Sequence, residues 1–274
     1  SGTYHLMGKQ KEEFPTTPKV DKTKKIKISG KVLKNVINST IFAVSKDDLK
    51  PSLTGVLFRF NSTGLTAVAT DSHRLSSSSI PLEKIQDFKS FILPKKAVFQ
   101  LCNLLQESKE QVLLYSGDSK IQFQIGNSKI ISKIIDGKFP DYKKVVPQNN
   151  NKTLTVNAKD FIHSIERVIT VSIDRKEGVK IAFKKDQIQL FVNSSSSGEG
   201  KETLKANYNS DDLTVGFNSR YLLDIASEIQ DEKLTIRSPT KNREFHEKWI
   251  LAESESEFAD IFGTANLQRF APSG

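Results

Sequence analysis

Two stretches decide how this chain is read: IKISGKVLKNVINSTIFAVS at residues 26–45 and LTVNAKDFIHSIERVITVS at residues 154–172. In the first, Leu33, Val36, Ile37, Thr40, Ile41 and Val44 recur at i, i+3, i+4, i+7, i+8 and i+11, one face of an amphipathic helix. Ser29 stands ahead of it as an N-cap. In the second, Phe161, Ile165, Val168 and Ile169 repeat Leu33, Ile37, Thr40 and Ile41 at a constant offset of 128 positions, and Lys159 repeats Lys31. Asn157 takes the cap position. The chain therefore carries an internal repeat.

Working outward, the relation holds for a second helix. In LPKKAVFQLCNLLQES the apolar set is Val98, Leu101, Cys102 and Leu105; in GFNSRYLLDIASEIQ it is Leu222, Ile225, Ala226 and Ile229, each 124 positions later. Alternating segments between the helices read as strands. Val56, Phe58 and Phe60, then Leu65, Ala67 and Ala69, form a pair across Asn61–Gly64; Val179, Ile181, Phe183, Ile188, Leu190 and Val192 match them 123 positions on. Residues 112–115 likewise match 234–237. Two copies of strand–helix–strands–helix–strands predict an α+β fold with two domains, each packing two helices on antiparallel sheet.

Composition sets outer limits. The 274 residues hold 41 Lys+Arg against 32 Asp+Glu, a formal charge of +9. Such a balance favours salt-sensitive contact with polyanions, with placement mattering more than the total. No run approaches the ~18 apolar residues of a helical membrane span. The single Cys102 excludes an intrachain disulfide and a Cys-based zinc cluster, and suits a reducing cytoplasm. His5, His73, His163 and His246 lie far apart, so no metal and no cofactor is expected.

The repeat also acts as a control, because whatever the fold requires appears in both copies. After the strand pair, copy one reads Thr70-Asp71-Ser72-His73-Arg74-Leu75, where copy two has only the polar run at 193–200. The first segment is therefore there for a neighbouring domain or a ligand. Catalysis by Asp71, Ser72 and His73 is not expected. Consecutive side chains on an extended strand point to opposite faces and cannot form a relay among themselves. A second unrepeated feature is the run from Asp136 to Pro147, whose two prolines, glycine and apolar residues mark a stiff, packed connector.

These residues resemble a known family. Thr70–Leu75 resembles the T-D-G-H-R-L motif of the bacterial sliding clamp, the β subunit of DNA polymerase III, with Ser72 where glycine is usual. Asp136-Gly137-Lys138-Phe139-Pro140-Asp141-Tyr142 resembles its D-G-x-F-P-D-Y connector. The resemblance covers roughly residues 2–240. It divides the chain into the last strand and exit of a preceding clamp domain (1–22, with a strand at Thr3–Leu6), a clamp domain with its connector (23–147), a second clamp domain (148–245) and an unmatched tail (246–274). In that tail Phe258, Ile261 and Phe262 follow an acidic, Ser-rich patch at helical spacing.

The family implies a non-catalytic, cytoplasmic processivity factor. In it, three such domains per subunit form a head-to-tail dimeric ring around double-stranded DNA. A chain short of its first domain is not expected to close a normal ring. By the same resemblance a peptide groove, built from Leu53, Thr70, Ser72, His73, Arg74, Leu75, Pro140, Val145, Asn218 and Tyr221, docks the DNA polymerase III catalytic subunit, the clamp loader and other proteins carrying a clamp-binding motif. Leu53, Leu75, Pro140 and Val145 supply an apolar pocket, while Thr70 and Arg74 fix an extended peptide. Polar helix faces offer Lys31, Lys34, Lys95, Lys96, Lys159, Arg167 and Arg220 to phosphates, and Lys50 matches a further position near the duplex. Two other readings stay open: a peptide-docking module that encircles nothing, and a DNA-binding protein of another kind.

Overall fold

The computed structural model describes residues 1–14, 16–20, 24–82, 88–105, 111–144, 146, 150–171, 178–194, 198–228, 231–238, 247–253 and 259–266, the last two by backbone alone. Copy one runs β1 (Lys25–Ser29), α1 (Gly30–Ile41), β2 (Gly55–Asn61), β3 (Gly64–Thr70), β4 (Arg74–Pro81), β5 (Phe91–Pro94), α2 (Lys95–Leu105), β6 (Gln111–Ser116), β7 (Lys120–Ile125) and β8 (Ser128–Lys133). Copy two runs β9 (Lys152–Asn157), α3 (Ala158–Val168), β10 (Gly178–Lys184), β11 (Gln187–Ser194), β12 (Gly198–Lys205), β13 (Asn207–Tyr208), β14 (Leu213–Asn218), α4 (Ser219–Ser227), β15 (Lys233–Ser238), β16 (Glu247–Glu253) and β17 (Ala259–Asn266).

The helices bury the faces their periodicity marks. Leu33, Val36, Ile37 and Thr40 on α1 and Val98, Leu101, Cys102 and Leu105 on α2 enter one core; Phe161, Ile165 and Val168 on α3 and Leu222, Ile225 and Ala226 on α4 enter the other. Each of the buried Val, Leu, Ile and Phe side chains contributes about 1.5–3 kcal/mol by leaving water. Ile229 lies outside the described residues. Asn157 caps α3 by accepting the Asp160 N–H at 3.1 Å, and Asn218 caps α4 by accepting those of Arg220 and Tyr221. Ser29 precedes α1 in an extended conformation, but its side chain makes no cap bond.

All strand pairing is antiparallel, and each copy divides its strands between two sheets rather than one. A four-stranded sheet runs β1-β6-β7-β8, another runs β12-β11-β10-β14, and a nine-stranded sheet runs β13-β9-β15-β16-β17-β4-β3-β2-β5. The long sheet is composite: β17 pairs with β4 from Ala259↔Ser78 to Gly263↔Arg74, welding the copies edge to edge. Phe42, just past α1, packs against both cores.

The tail departs from expectation. Residues 259–266 form a strand and not a helix, while Phe258 lies outside the described residues. The order β15-β16-β17 reproduces β6-β7-β8, so 247–266 complete copy two instead of trailing from it. The physical reason is that β15, like β6, would otherwise leave a ladder edge unpaired. At the other end, Thr3–Leu6 is not a strand. Tyr4 and Leu6 are 89% and 95% exposed, and among the described residues the segment finds no neighbouring strand to complete a ladder.

Candidate functional site

The turn between β3 and β4 is built by its own side chains. Thr70 Oγ1 donates to the Arg74 carbonyl at 2.7 Å and accepts the Ser72 N–H at 3.2 Å. Asp71 Oδ1 accepts the backbone N–H groups of His73 and Arg74 at 2.9 and 3.0 Å. The chain reverses at Ser72, whose φ of 77° lies in the left-handed region where glycine is at ease. The segment is thus a tight turn rather than an extended strand, and the Asp71 carboxylate supports backbone and Arg74.

Arg74 carries the turn across to copy two. Its Nε donates to Asp71 Oδ2 at 3.1 Å, Nη1 to Asp224 Oδ2 on α4 at 2.5 Å, and Nη2 to the Phe42 carbonyl at 2.9 Å. The guanidinium lies 5.3 Å from the Phe42 ring centroid and 4.8 Å from that of Tyr221. The His73 ring stacks on Tyr221 at 5.9 Å and 21°. Burial, reinforced by Asp71, holds the Tyr221 phenol above its usual pKa.

Beside this cluster a notch of about 1110 Å³ opens between the copies. Ser72, His73, Arg74, Asn218 and Tyr221 line it, and so do Lys50, Lys95 and Arg220 from the cationic set. Lys50 Nζ donates to Ser72 Oγ at 3.3 Å. Lys95 sits low in its titration range, first through burial and then through repulsion from Lys46 and Arg74. The notch therefore has an aromatic wall and a cationic rim.

The expected apolar pocket is not in this notch. Leu53 and Leu75 are 4% and 1% exposed, packed with Val68, Ile92 and Phe139. The connector's Phe139 is thus part of the same buried cluster as Leu53 and Leu75. Thr70 is buried beneath the turn, and Pro140 lines a separate cavity of about 740 Å³ with Arg59, Phe91 and Tyr142. Val145 lies outside the described residues.

The cations also divide. Lys31, Lys96 and Lys159 are exposed, and Lys34 is half-buried on α1. Arg167 is committed: Nε and Nη2 both donate to Glu202 on β12 at 3.0 Å, which lowers the carboxyl's pKa. Phe42, Lys46, Asp47 and Asp224 line the notch without having been singled out in sequence. For Asp224 the signal was present: Arg220 and Asp224 stand at i, i+4 on a helix. Among the described residues no group of three or more His, Cys, Asp or Glu side chains is placed to hold a metal ion.

Comparison with known proteins places these features in a lineage. Residues 27–141 match the family described as DNA polymerase III beta subunit, central domain, and residues 143–246 match its C-terminal domain. The beta sliding clamp of Staphylococcus aureus is 32% identical over 238 residues, covering 85% of this chain; the chain spans 62% of that relative's length. A crystal structure of a DnaN sliding clamp from Bartonella birtlesii, bound to griselimycin, superposes with a TM-score of 0.86 at 32% identity, covering 93% of this chain and 69% of that one. The Caulobacter crescentus beta sliding clamp, with polyethylene glycol bound to a putative beta-motif tethering region, gives 0.86 at 28% identity, covering 93% and 68%.

Proposed function

The chain belongs to the family of the DNA polymerase III beta subunit, the bacterial sliding clamp, and from that premise we propose that it serves as clamp domains of a replicative processivity factor. Such a protein holds duplex DNA topologically while docking the polymerase catalytic subunit, the clamp loader and repair proteins through a peptide site. Its chemistry is non-covalent, and its place is the cytoplasm where replication runs.

The observation that carries this reading is the notch at the weld between the copies, walled by His73 and Tyr221 and rimmed by Lys50, Lys95 and Arg220. An extended peptide bearing an aromatic or aliphatic anchor and an acidic neighbour suits such a surface. Duplex DNA needs a different surface: exposed cations that neutralise phosphates without reading bases. Lys31, Lys96 and Lys159 suit that role, whereas Arg167 spends its charge on Glu202. Head-to-tail association with further clamp domains finds support in β8 and β12, the repeat counterparts of the welded β17 and β4. Each is the terminal strand of its sheet among the described residues.

The test is fluorescence polarisation with a labelled peptide carrying a polymerase clamp-binding motif. Tyr221→Ala with His73→Ala is expected to weaken binding about thirtyfold, the scale of a hot-spot truncation, with little change in Tm. Unaltered affinity in the double variant overturns the assignment of the notch.

A further inference from the structure

Resting on the docking reading above, we infer that Arg74 is a positioning residue, which sets the wall of the notch by latching α4 of copy two to the turn and helix end of copy one. Its guanidinium is held on every side. Three N–H donors go to Asp71, Asp224 and the Phe42 carbonyl, and two rings cover its faces. At 8% exposure it has little left to offer a ligand. A guanidinium is suited to this task, because its several N–H donors can serve three acceptors while its charge lies near two aromatic rings.

What Arg74 holds are parts of the peptide site. Asp224 and Tyr221 lie three residues apart on α4, so anchoring the carboxylate fixes the turn of helix that presents the tyrosine ring. Phe42 belongs to both cores, so its ring ties the latch to the packing of each. Removing the guanidinium leaves Asp224 uncompensated and frees Tyr221 to rotate away from His73. The β17–β4 weld, whose pairing ends at Gly263↔Arg74, then frays at that end.

The experiment compares Arg74→Ala, Arg74→Lys, Asp224→Asn and the Arg74→Ala/Asp224→Asn double variant in the full chain. Amide hydrogen exchange without peptide reads the weld, and polarisation with the labelled polymerase motif peptide reads the notch. Arg74→Ala and Asp224→Asn are each expected to weaken the peptide about tenfold, a typical coupling between sites. The double variant should lose no more than either, and exchange at β4 and β17 should quicken before any peptide is added. Arg74→Lys, which keeps a charge beside Asp224 but cannot span all three acceptors or stack on the rings, should recover only part of the affinity. Wild-type affinity in Asp224→Asn, or lost affinity in Arg74→Ala with unchanged exchange, overturns the inference. If the unaltered chain fails to bind the peptide, the docking reading falls, and the exchange measurements alone decide whether Arg74 is the latch.

Discussion

The strand that follows the first hairpin of each copy lies under opposite conditions in the two halves of this molecule. In copy one, the turn from Thr70 to Arg74 is knitted by Thr70 and Asp71 and leads into β4, a strand covered on both edges by β3 and β17. In copy two, the counterpart strand β12 begins at Gly198 with a φ of 115° and, among the described residues, ends its sheet with β11 on one side only. Copy one has Leu75 at the ladder position next to the turn, buried to 1%; copy two has the exposed Glu199 there. The fold tolerates either sequence. What differs is whether another domain rests on the strand, so the polar knitting of residues 70–74 serves the junction.

The largest effect expected from this contrast comes from breaking the weld. Ile261→Pro removes an N–H from a strand paired on both sides and is expected to cost at least about 3 kcal/mol, read by denaturant unfolding. A loss confined to a few tenths would mean that the β17–β4 pairing contributes little. Next comes the matched pair of truncations. Leu75→Ala should cost about 2–5 kcal/mol as a buried leucine, whereas Glu199→Ala should stay within about 0.5. Equal effects would erase the distinction between covered and terminal strand. Smallest is Ser72→Gly, which relieves a left-handed serine and should stabilise by up to about 1 kcal/mol. A decrease in Tm would show that the Lys50–Ser72 bond outweighs the backbone strain.

Periodicity alone reveals much of this architecture. The α1 and α3 faces, the hairpin strands and the repeat offsets follow from apolar spacing, because amphipathic elements declare their buried side locally. The control logic of the repeat likewise singles out 70–75. What stays hidden is whatever depends on the chain's path. That Leu53 and Leu75 share a buried cluster with Phe139, from a connector more than sixty residues beyond Leu75, is not visible in local spacing. Nor does the sequence reveal that Arg74 pairs with Asp224, 150 residues away. Residues 247–266 read as a tail because the acidic, Ser-rich run at 253–257 interrupts the pattern, and Ile261 and Phe262 suit a helix as well as a strand.

The weld also has a consequence for how the protein is made. The outer edge of β4 is completed by residues about 180 positions downstream, so on the ribosome it stays open for roughly 10–40 s at ordinary elongation rates. An open edge of that kind invites pairing with other nascent chains. Ser76, Ser77, Ser78 and Ser79 run along β4 where a typical central strand would carry valine or isoleucine. That small polar ribbon gives a neighbouring nascent chain little greasy surface to hold until β17 emerges to take its place.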